Sequence, residues 1–476
     1  MSIGQAVTLW RQWAKEYILA DIQADWDLSH VPVFSDRGWE YGTMSESLKN
    51  CTESLSDDDT YLYIFYVADQ LTDGPWTADA IRPVYVGMTE DPKTRFNRHI
   101  HKFATRNSDG SDDEWKKYHH LAAILENVDG RLFAWARPNS EIDTGPYGYS
   151  CYPKELEAKL VGLLHRIPVI RRTLINREYV PNWSRYERYK ERSEWVDSKP
   201  LSEAYEKYNG EYRISAPDGS KQTLWSDWVN RYPLSDINDE TTVDPVPLFE
   251  TTSDDRTVHI TPDGTLERTS KIETHIEVVG SQYIQKRDRK PIGRDLEGLL
   301  YIMYQLDNQS KPFGASDFMP LYIGKAEVWG TINELSNNFK EIAGKGSATR
   351  TFARWGDGED WHIGKLSAAV RTGDEGYIHW ADMLFEPGSR KLRKPTYLWV
   401  HPWNRSEDTG PYGMAQSLAA LEPQLIALAY ESSPTKLLNK DNVPTDAPIN
   451  QTEAQFEPPN QWPNRGTKQH ALGDFF

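Results

Sequence analysis

Side chains suited to phosphate and metal chemistry follow one another in the first third of the chain. Tyr85 and Gly87 end a strand-like run, and the helix predicted after them carries Arg95 and His99 on one face, four residues apart. Arg presents five donors in a planar fork that fits phosphate oxygens. Glu157 lies in the first turn of a second predicted helix, where one carboxylate, with waters and phosphate oxygens, suffices to hold Mg²⁺. These residues could therefore bind a phosphodiester beside a metal ion.

The elements that would position these residues recur later in the chain, which indicates two homologous domains. The hexapeptide Asp-Thr-Gly-Pro-Tyr-Gly, read as a turn, occurs at 143–148 and at 408–413, and Glu157 and Glu422 follow it at the same distance. Strand-like runs of a first copy (58–182) also match runs of a second copy (296–441): 61–66 matches 299–304, 84–87 matches 321–324, and 133–136 matches 378–381.

The chain is predicted to be an α/β protein of the α+β kind, in five parts. Apolar residues from Val7 to Ile22 recur at helical spacing, and Pro-Asp-Gly turns at 217–219 and 262–264 suggest β-hairpins. Each copy is expected to hold a small, mainly antiparallel sheet flanked by helices. The parts are an N-terminal helical extension (1–57), the first copy (58–182), a linker or insert with β-hairpins (183–295), the second copy (296–441) and a disordered tail (442–476).

Composition excludes several classes of protein. The chain has 476 residues and a formal net charge of −17, and no apolar run reaches the roughly 18 residues that a membrane span needs. Its 2 cysteines cannot form a disulfide framework or a thiolate zinc site, which agrees with a cytoplasmic location. The remaining histidines, His362 among them, are interpreted as core or surface residues because no ligand set accompanies them. Net acidity would repel nucleic acid at long range, but it does not decide the question of partners.

The first copy resembles the GIY-YIG endonuclease superfamily, named for two strands ending in Gly-Ile-Tyr and Tyr-Ile-Gly. Tyr63 is similar to the tyrosine of the first motif, and Tyr85 and Gly87 are similar to the second. The glycine of the first motif is replaced by Tyr61 in the first copy and by Leu299 in the second. A longer connection than usual separates the two motifs in each copy.

The helical part of the superfamily pattern is also matched. Arg95 corresponds to the helical arginine and His99 to a position where many members carry histidine. Glu157 corresponds to the metal ligand and Asn176 to the closing asparagine. The resemblance implies hydrolysis of DNA phosphodiesters with one Mg²⁺ or Mn²⁺.

The resemblance also implies a role for each residue of the first copy. Arg95 would stabilise the charge of the transition state, and Glu157 would hold the metal. Tyr63, or a hydroxide activated by the metal, would activate the nucleophile, and Tyr85 would hydrogen-bond water or phosphate.

The second copy departs further from the pattern. Ile332 stands where the first copy has Arg95, so Arg350 or Arg354 would have to supply the cation across an insertion. Pro423 directly follows Glu422 and disfavours helical angles there. The matching residues of this copy are Tyr301, Tyr322, Gly324, Glu422 and Asn439.

The last eight residues resemble a sliding-clamp-binding motif of the PCNA-interacting kind. Gln469, Leu472, Phe475 and Phe476 have the spacing at which a short helical turn places apolar side chains in one pocket of the clamp. Such a segment would deliver an acidic protein to DNA by raising its local concentration.

The sequence therefore favours a metal-dependent DNA endonuclease of repair or recombination, located at the nucleoid and recruited by a clamp. A non-catalytic DNA-processing adaptor and a stand-alone restriction-type endonuclease remain as alternatives. The two copies would form an internal pseudo-dimer within a monomeric chain.

Overall fold

A computed structural model describes most of the chain, and its fold is α+β, with small antiparallel sheets flanked by helices. No helix among these residues is long and apolar enough to cross a membrane. The described residues are 2–35, 38–53, 55, 59–68, 77–105, 113–127, 131–184, 205–208, 219–239, 245–253, 255–285, 290–308, 310–330, 334–343, 355 and 361–462. Arg350, Arg354, Ile332 and the predicted clamp motif 469–476 lie outside them.

The sheet of the first copy has four strands in the order β1-β4-β2-β3, each antiparallel to its neighbours. The strands are β1 (Val31–Pro32), β2 (Tyr61–Ala68), β3 (Ile81–Thr89) and β4 (Leu132–Pro138). All residues of β2 are buried, because both faces of this central strand pack against apolar side chains. This explains why β2 reads as a continuous apolar run and not as an alternating one.

Helices surround this sheet. They are α1 (Ile3–Ala14), continued by a π-helical turn (Lys15–Leu19), α2 (Ala20–Gln23), α3 (Gly38–Tyr41), α4 (Glu46–Glu53), α5 (Pro92–Ala104), α6 (Asp113–Asn127), α7 (Pro153–Arg166) and α8 (Pro168–Thr173). Helix α5 begins as the sequence predicts, because the Asp91 carboxylate accepts a hydrogen bond from the Thr94 N–H and Pro92 occupies the first helical position.

The second half of the chain has a three-stranded sheet in the order β8-β7-β9. Its strands are β5 (Ile284–Gln285) and β6 (Lys290–Pro291), which form a separate pair, and then β7 (Leu296–Leu306), β8 (Phe318–Glu327) and β9 (Thr396–Asn404). Its helices are α9 (Lys221–Arg231), α10 (Pro233–Asn238), α11 (Ser270–Ser281), α12 (Asn337–Ala343), α13 (His362–Thr372), α14 (Ile378–Leu384), α15 (Leu418–Ser432) and α16 (Pro448–Gln451).

One predicted match between the copies is wrong. The run 378–381 is not a strand but the start of α14, whose buried residues Trp380, Ala381 and Leu384 have helical spacing. The strand equivalent to β4 is β9, because Ile302 pairs with Trp399 as Ile64 pairs with Trp135.

The repeat also extends further toward the N-terminus than predicted. Trp225 in α9 lies 215 residues after Trp10 in α1 (225 − 10), and Asp236 lies 215 residues after Asp21 (236 − 21). Asp21 accepts a 2.8 Å hydrogen bond from the indole of Trp135, and Asp236 accepts one of 2.8 Å from that of Trp399. These matched bonds show that each copy includes its own Trp-bearing helix.

The predicted division of the chain is corrected accordingly. Residues 1–57 are not a separate extension, because β1 joins the first sheet, and 183–295 is not only a β-hairpin insert, because α9 to α11 lie within it. The Pro-Asp-Gly turn at 262–264 does close a hairpin-like bridge between Ile260 and Leu266.

The tail is ordered in part, which corrects the prediction of disorder from residue 442. Ile449 and Phe456 are buried against the second copy, and the Trp462 indole donates a hydrogen bond to the Gly264 carbonyl. Composition predicted disorder because Pro, Asn and Gln dominate here, but these three apolar side chains supply the burial that holds the segment.

The two copies share one apolar core, in which α7 and α15 pack together. Leu160 and Leu425 of these helices lie in the same cluster as Ile64 and Ile302 of the central strands. Gly162 permits the approach, because a Cβ there would collide with Ala420. The pseudo-dimer is therefore built around a common interior.

An ion-pair network closes this interface. The Glu155 carboxylate is fully buried and contacts the ammonium groups of Lys159 at 2.7 Å and Lys221 at 3.1 Å, and the Tyr412 hydroxyl donates to it. Although burial opposes ionisation, the two lysines hold the pKa of Glu155 below its ordinary value. Glu155 is therefore charged and fully partnered in the folded protein.

Candidate active site

A glycine and an asparagine build the frame of the site in the first copy. The antiparallel register places Gly87 opposite Tyr63, and the tyrosine ring lies where a Cβ on residue 87 would be. The Asn176 amide accepts a 3.0 Å hydrogen bond from the Val86 N–H and donates a 2.7 Å bond to the Val86 carbonyl. Strand β3 is a sheet edge, so Asn176 satisfies backbone groups that no further strand can reach.

Arg95 joins the two motif tyrosines. Its Nε donates to Tyr63 Oη at 3.0 Å, and its Nη2 donates to Tyr85 Oη at 3.2 Å. His99, one helical turn later, lies 2.9 Å from Tyr63 Oη through Nε2 and 2.9 Å from Tyr118 Oη through Nδ1. The four predicted residues Tyr63, Tyr85, Arg95 and His99 therefore form one connected network, to which the structure adds Tyr118.

The network is neutral except for the guanidinium. Burial raises the pKa of Tyr63 well above its ordinary value and that of Tyr85 to about 12. Burial and nearby cations, Lys117 and Arg95 among them, lower the pKa of His99 well below its ordinary value. A neutral imidazole has one N–H, so His99 donates one of its two hydrogen bonds and accepts the other.

Glu157 has the environment of an uncompensated ligand. Its side chain belongs to a residue only 9% exposed, and among the described residues no side chain forms a hydrogen bond or an ion pair with its carboxylate. Burial, together with the charge of Glu178, raises the pKa of Glu157 to about 8, and Arg95 and Lys154 oppose the rise. Such a carboxylate would bind a divalent cation by exchanging a proton for it.

The geometry fits a metal held by one protein carboxylate. No group of three or more His, Cys, Asp or Glu side chains that could hold a metal occurs among the residues that the structure describes. Water and phosphate oxygens would therefore have to complete the coordination, as Mg²⁺ commonly allows. Manganese(II), which accepts the same oxygen ligands, would fit as well.

Both copies line one groove of about 1050 Å³, called here the shared groove. Tyr85, Arg95, His99 and Glu157 face it from the first copy, whereas the fully buried Tyr63 does not line it. Its Lys and Arg residues are Arg95, Arg98, Lys102, Lys117, Lys154, Arg177 and Lys325, and its Asp and Glu residues are Asp91, Glu157, Glu178, Glu422 and Asp441. The groove is therefore a cationic patch on an acidic chain.

The second copy repeats the frame. The Tyr301 ring lies against Gly324, and the Asn439 amide makes two 2.9 Å hydrogen bonds with the backbone of Ile323. Glu422 is the fifth residue of α15, as Glu157 is the fifth of α7, and it lines the shared groove.

The prediction that Pro423 turns Glu422 away from helical angles is wrong, because Pro423 lies inside α15. The helix continues past it with Leu425 and Ile426 buried in the common core, and the Gln424 side chain hydrogen-bonds the Ala420 carbonyl. Burial outweighs the local cost of a proline in this helix.

The chemistry around the second frame is different. Trp355, 1% exposed, packs against Tyr301 and Tyr322 with ring centroids 6.0 and 6.3 Å away, so an indole lies against the same two tyrosines that Arg95 bridges in the first copy. His362 Nδ1 lies 2.7 Å from Tyr377 Oη, as His99 Nδ1 does from Tyr118.

Sequence reasoning missed three of these residues: Tyr118, His362 and Tyr377. Each histidine is followed by its tyrosine after a variable loop, 19 residues in one copy and 15 in the other (118 − 99 and 377 − 362). The signal was a His and a Tyr in the same order between the second strand and the hexapeptide of each copy, and it is weak without the fold.

Comparisons of the chain with models of known protein families, with curated proteins and with solved structures found no match.

Proposed function

We propose that the protein is a metal-dependent DNA endonuclease with one working site, in the first copy. The observation that carries this proposal is the network in which Arg95 bridges Tyr63 and Tyr85 beside the unpartnered carboxylate of Glu157. Cation, phenol and carboxylate converge on a groove lined by seven basic side chains, which suits a polyphosphate.

Arg95 is the residue placed to bind the scissile phosphate. Its Nε and Nη2 are held by the tyrosines, whereas Nη1 forms no hydrogen bond with another described residue and remains for a phosphate oxygen. Because the guanidinium is fixed before substrate arrives, it can stabilise charge in the transition state without first reorganising.

The tyrosines orient the site and do not act as bases in their resting state. With pKa values raised by burial, Tyr63 and Tyr85 remain phenols at neutral pH. Tyr63 acts through Arg95 and His99, and Tyr85, which faces the groove, can hydrogen-bond water or phosphate. Glu157 would hold the cation, and Mg²⁺ bound there would supply positive charge next to the phosphate.

The test is incubation of the full chain with supercoiled plasmid, single-stranded DNA and branched DNA, with Mg²⁺, with Mn²⁺ or with EDTA. We expect metal-dependent nicks, because one working site cuts one strand at a time. Binding without cleavage on every substrate would favour the non-catalytic adaptor, and double-strand cuts at one defined sequence would favour a restriction-type enzyme.

Recruitment by a sliding clamp and a role in repair or recombination at the nucleoid form the second part of the proposal. Their support is the spacing of Gln469, Leu472, Phe475 and Phe476 on a chain whose net charge of −17 disfavours unaided approach to DNA. We expect the full chain to bind the host clamp with a Kd of about a micromolar or below. Phe475→Ala/Phe476→Ala should lose that binding, and wild-type binding weaker than about a millimolar would remove the clamp.

A further inference from the structure

The two candidate carboxylates of the shared groove differ in one neighbour. The residue after Gly87 is Met88, and the residue after Gly324 is Lys325. Their strand registers are equivalent, because Met88 pairs with Leu62 and Lys325 pairs with Leu300, each next to the paired tyrosine and glycine. Both side chains line the groove. The two copies therefore place a thioether and an ammonium at the same position.

Lys325 is held between two carboxylates. Its Nζ lies 3.6 Å from Glu422 Oε2 and 3.9 Å from Glu327 Oε2, and all three side chains are about four-fifths buried, at 23%, 22% and 18% exposed. The counterparts of these carboxylates in the first copy are Glu157 and Glu90, so both acids are retained and only the cation differs.

We propose that the Lys325 ammonium supplies, from within the chain, the positive charge that a divalent metal supplies at Glu157, so that the protein binds one such ion and not two. The inference rests on the proposed metal site of the first copy. Met88 cannot neutralise Glu157, and no described residue forms an ion pair with that carboxylate. An ammonium fixed beside Glu422 would repel a second cation from the second copy.

The test is the number of Mn²⁺ ions bound per full-length chain, measured from the free-ion signal in electron paramagnetic resonance. We expect one for the wild type, none for Glu157→Gln and two for Lys325→Met, because the variant leaves Glu422 and Glu327 without a cation. Lys325→Arg, the matched control, keeps the charge and should bind one. Adding Glu422→Gln to Lys325→Met should return the count to one and thereby locate the new ion.

Thermal unfolding gives an independent readout that needs no activity. Lys325→Met should be less stable than the wild type without metal, and Mn²⁺ should raise its Tm by more than it raises that of the wild type. Lys325→Gln is closer to lysine in polarity and serves as the second variant, with the same expected gain of one ion.

The outcomes separate this inference from the nuclease proposal. Two ions on the wild type, or no gain in either Lys325→Met or Lys325→Gln, would overturn the inference and leave a working site at Glu157 possible. No ion on the wild type would reject the proposed metal site instead, and a gain of one ion in Lys325→Met would then still support the role of Lys325.

Discussion

The two copies surround the same backbone frame with opposite chemistry. Each copy lays a tyrosine ring against a glycine, and each closes its edge strand with an asparagine amide. In the first copy Arg95 bridges the tyrosines, and Glu157 has no cation partner. In the second copy Trp355 packs against the tyrosines, and Lys325 lies beside Glu422.

The comparison separates residues that hold the frame from residues that do chemistry. Glycine and asparagine satisfy steric and backbone demands that any copy of this fold must meet, so they occur in both. A guanidinium held ready for an anion and a buried, unpaired carboxylate cost stability, and they occur together only in the first copy. The first copy is thus the one whose arrangement is explained by a ligand.

The largest expected effect is the loss of cleavage in Glu157→Gln. Removing the only protein ligand of the metal should cost several kcal/mol of transition-state stabilisation, about a thousandfold in rate or more. Glu422→Gln is the matched variant and should retain most activity, because Lys325 already neutralises that carboxylate. Plasmid nicking under single-turnover conditions measures both.

Equal losses in the two variants would break the comparison. Conversion of double-strand cutting into nicking by either change alone would show two working sites that divide the strands between them. Circular dichroism of each variant serves as the control for folding.

Arg95→Ala should lower the rate by about a hundredfold to a thousandfold, the cost of removing one preorganised donor to developing charge. Arg98→Ala is the control, because Arg98 lies on the same helix and lines the same groove but is not part of the tyrosine network. We expect this control to weaken DNA binding in a salt-dependent way with little change in the single-turnover rate. Similar rate losses in both variants would reduce Arg95 to a general phosphate contact.

The metal requirement should depend on pH, since the pKa of metal-free Glu157 is raised to about 8 by burial. Below that pH the carboxyl group is protonated, and a metal ion must displace the proton. The Mg²⁺ concentration for half-maximal cleavage should therefore fall about tenfold per pH unit between pH 6 and 7 and level off above about pH 8. Glu422→Gln should leave this profile unchanged, and a flat profile in the wild type would contradict the assignment of Glu157 as ligand.

Much of the first site was predictable from sequence, because its residues lie in ordered motifs on regular elements. The second copy was harder to predict. Its Trp355 reaches the tyrosines from a region with no fixed spacing to them, and Lys325 gains meaning only from Glu422, 97 residues later (422 − 325). The run 378–381 was misassigned because four residues cannot distinguish helical from strand periodicity. The match of α9 to α1 was present in the sequence at a constant offset and could have been found by comparing the tryptophan spacings.

The smallest contrast is expected where the copies are alike. Asn176→Ala and Asn439→Ala each leave one buried backbone N–H and one carbonyl without a partner, at Val86 and Ile323. Each variant should lose about 2–4 kcal/mol in free energy of unfolding, the usual cost of two unsatisfied groups. Urea unfolding followed by tryptophan fluorescence measures this loss.

Asn450→Ala, at an exposed position, is the control and should lie within about 0.5 kcal/mol of the wild type. Both asparagine variants should unfold in a single transition, because the shared core joins the copies and neither can lose its frame alone. A loss confined to one asparagine, or two separate transitions in either variant, would show that the frames are not equivalent. The chemical contrast between the copies would then follow from a difference in folding and not from Trp355 and Lys325.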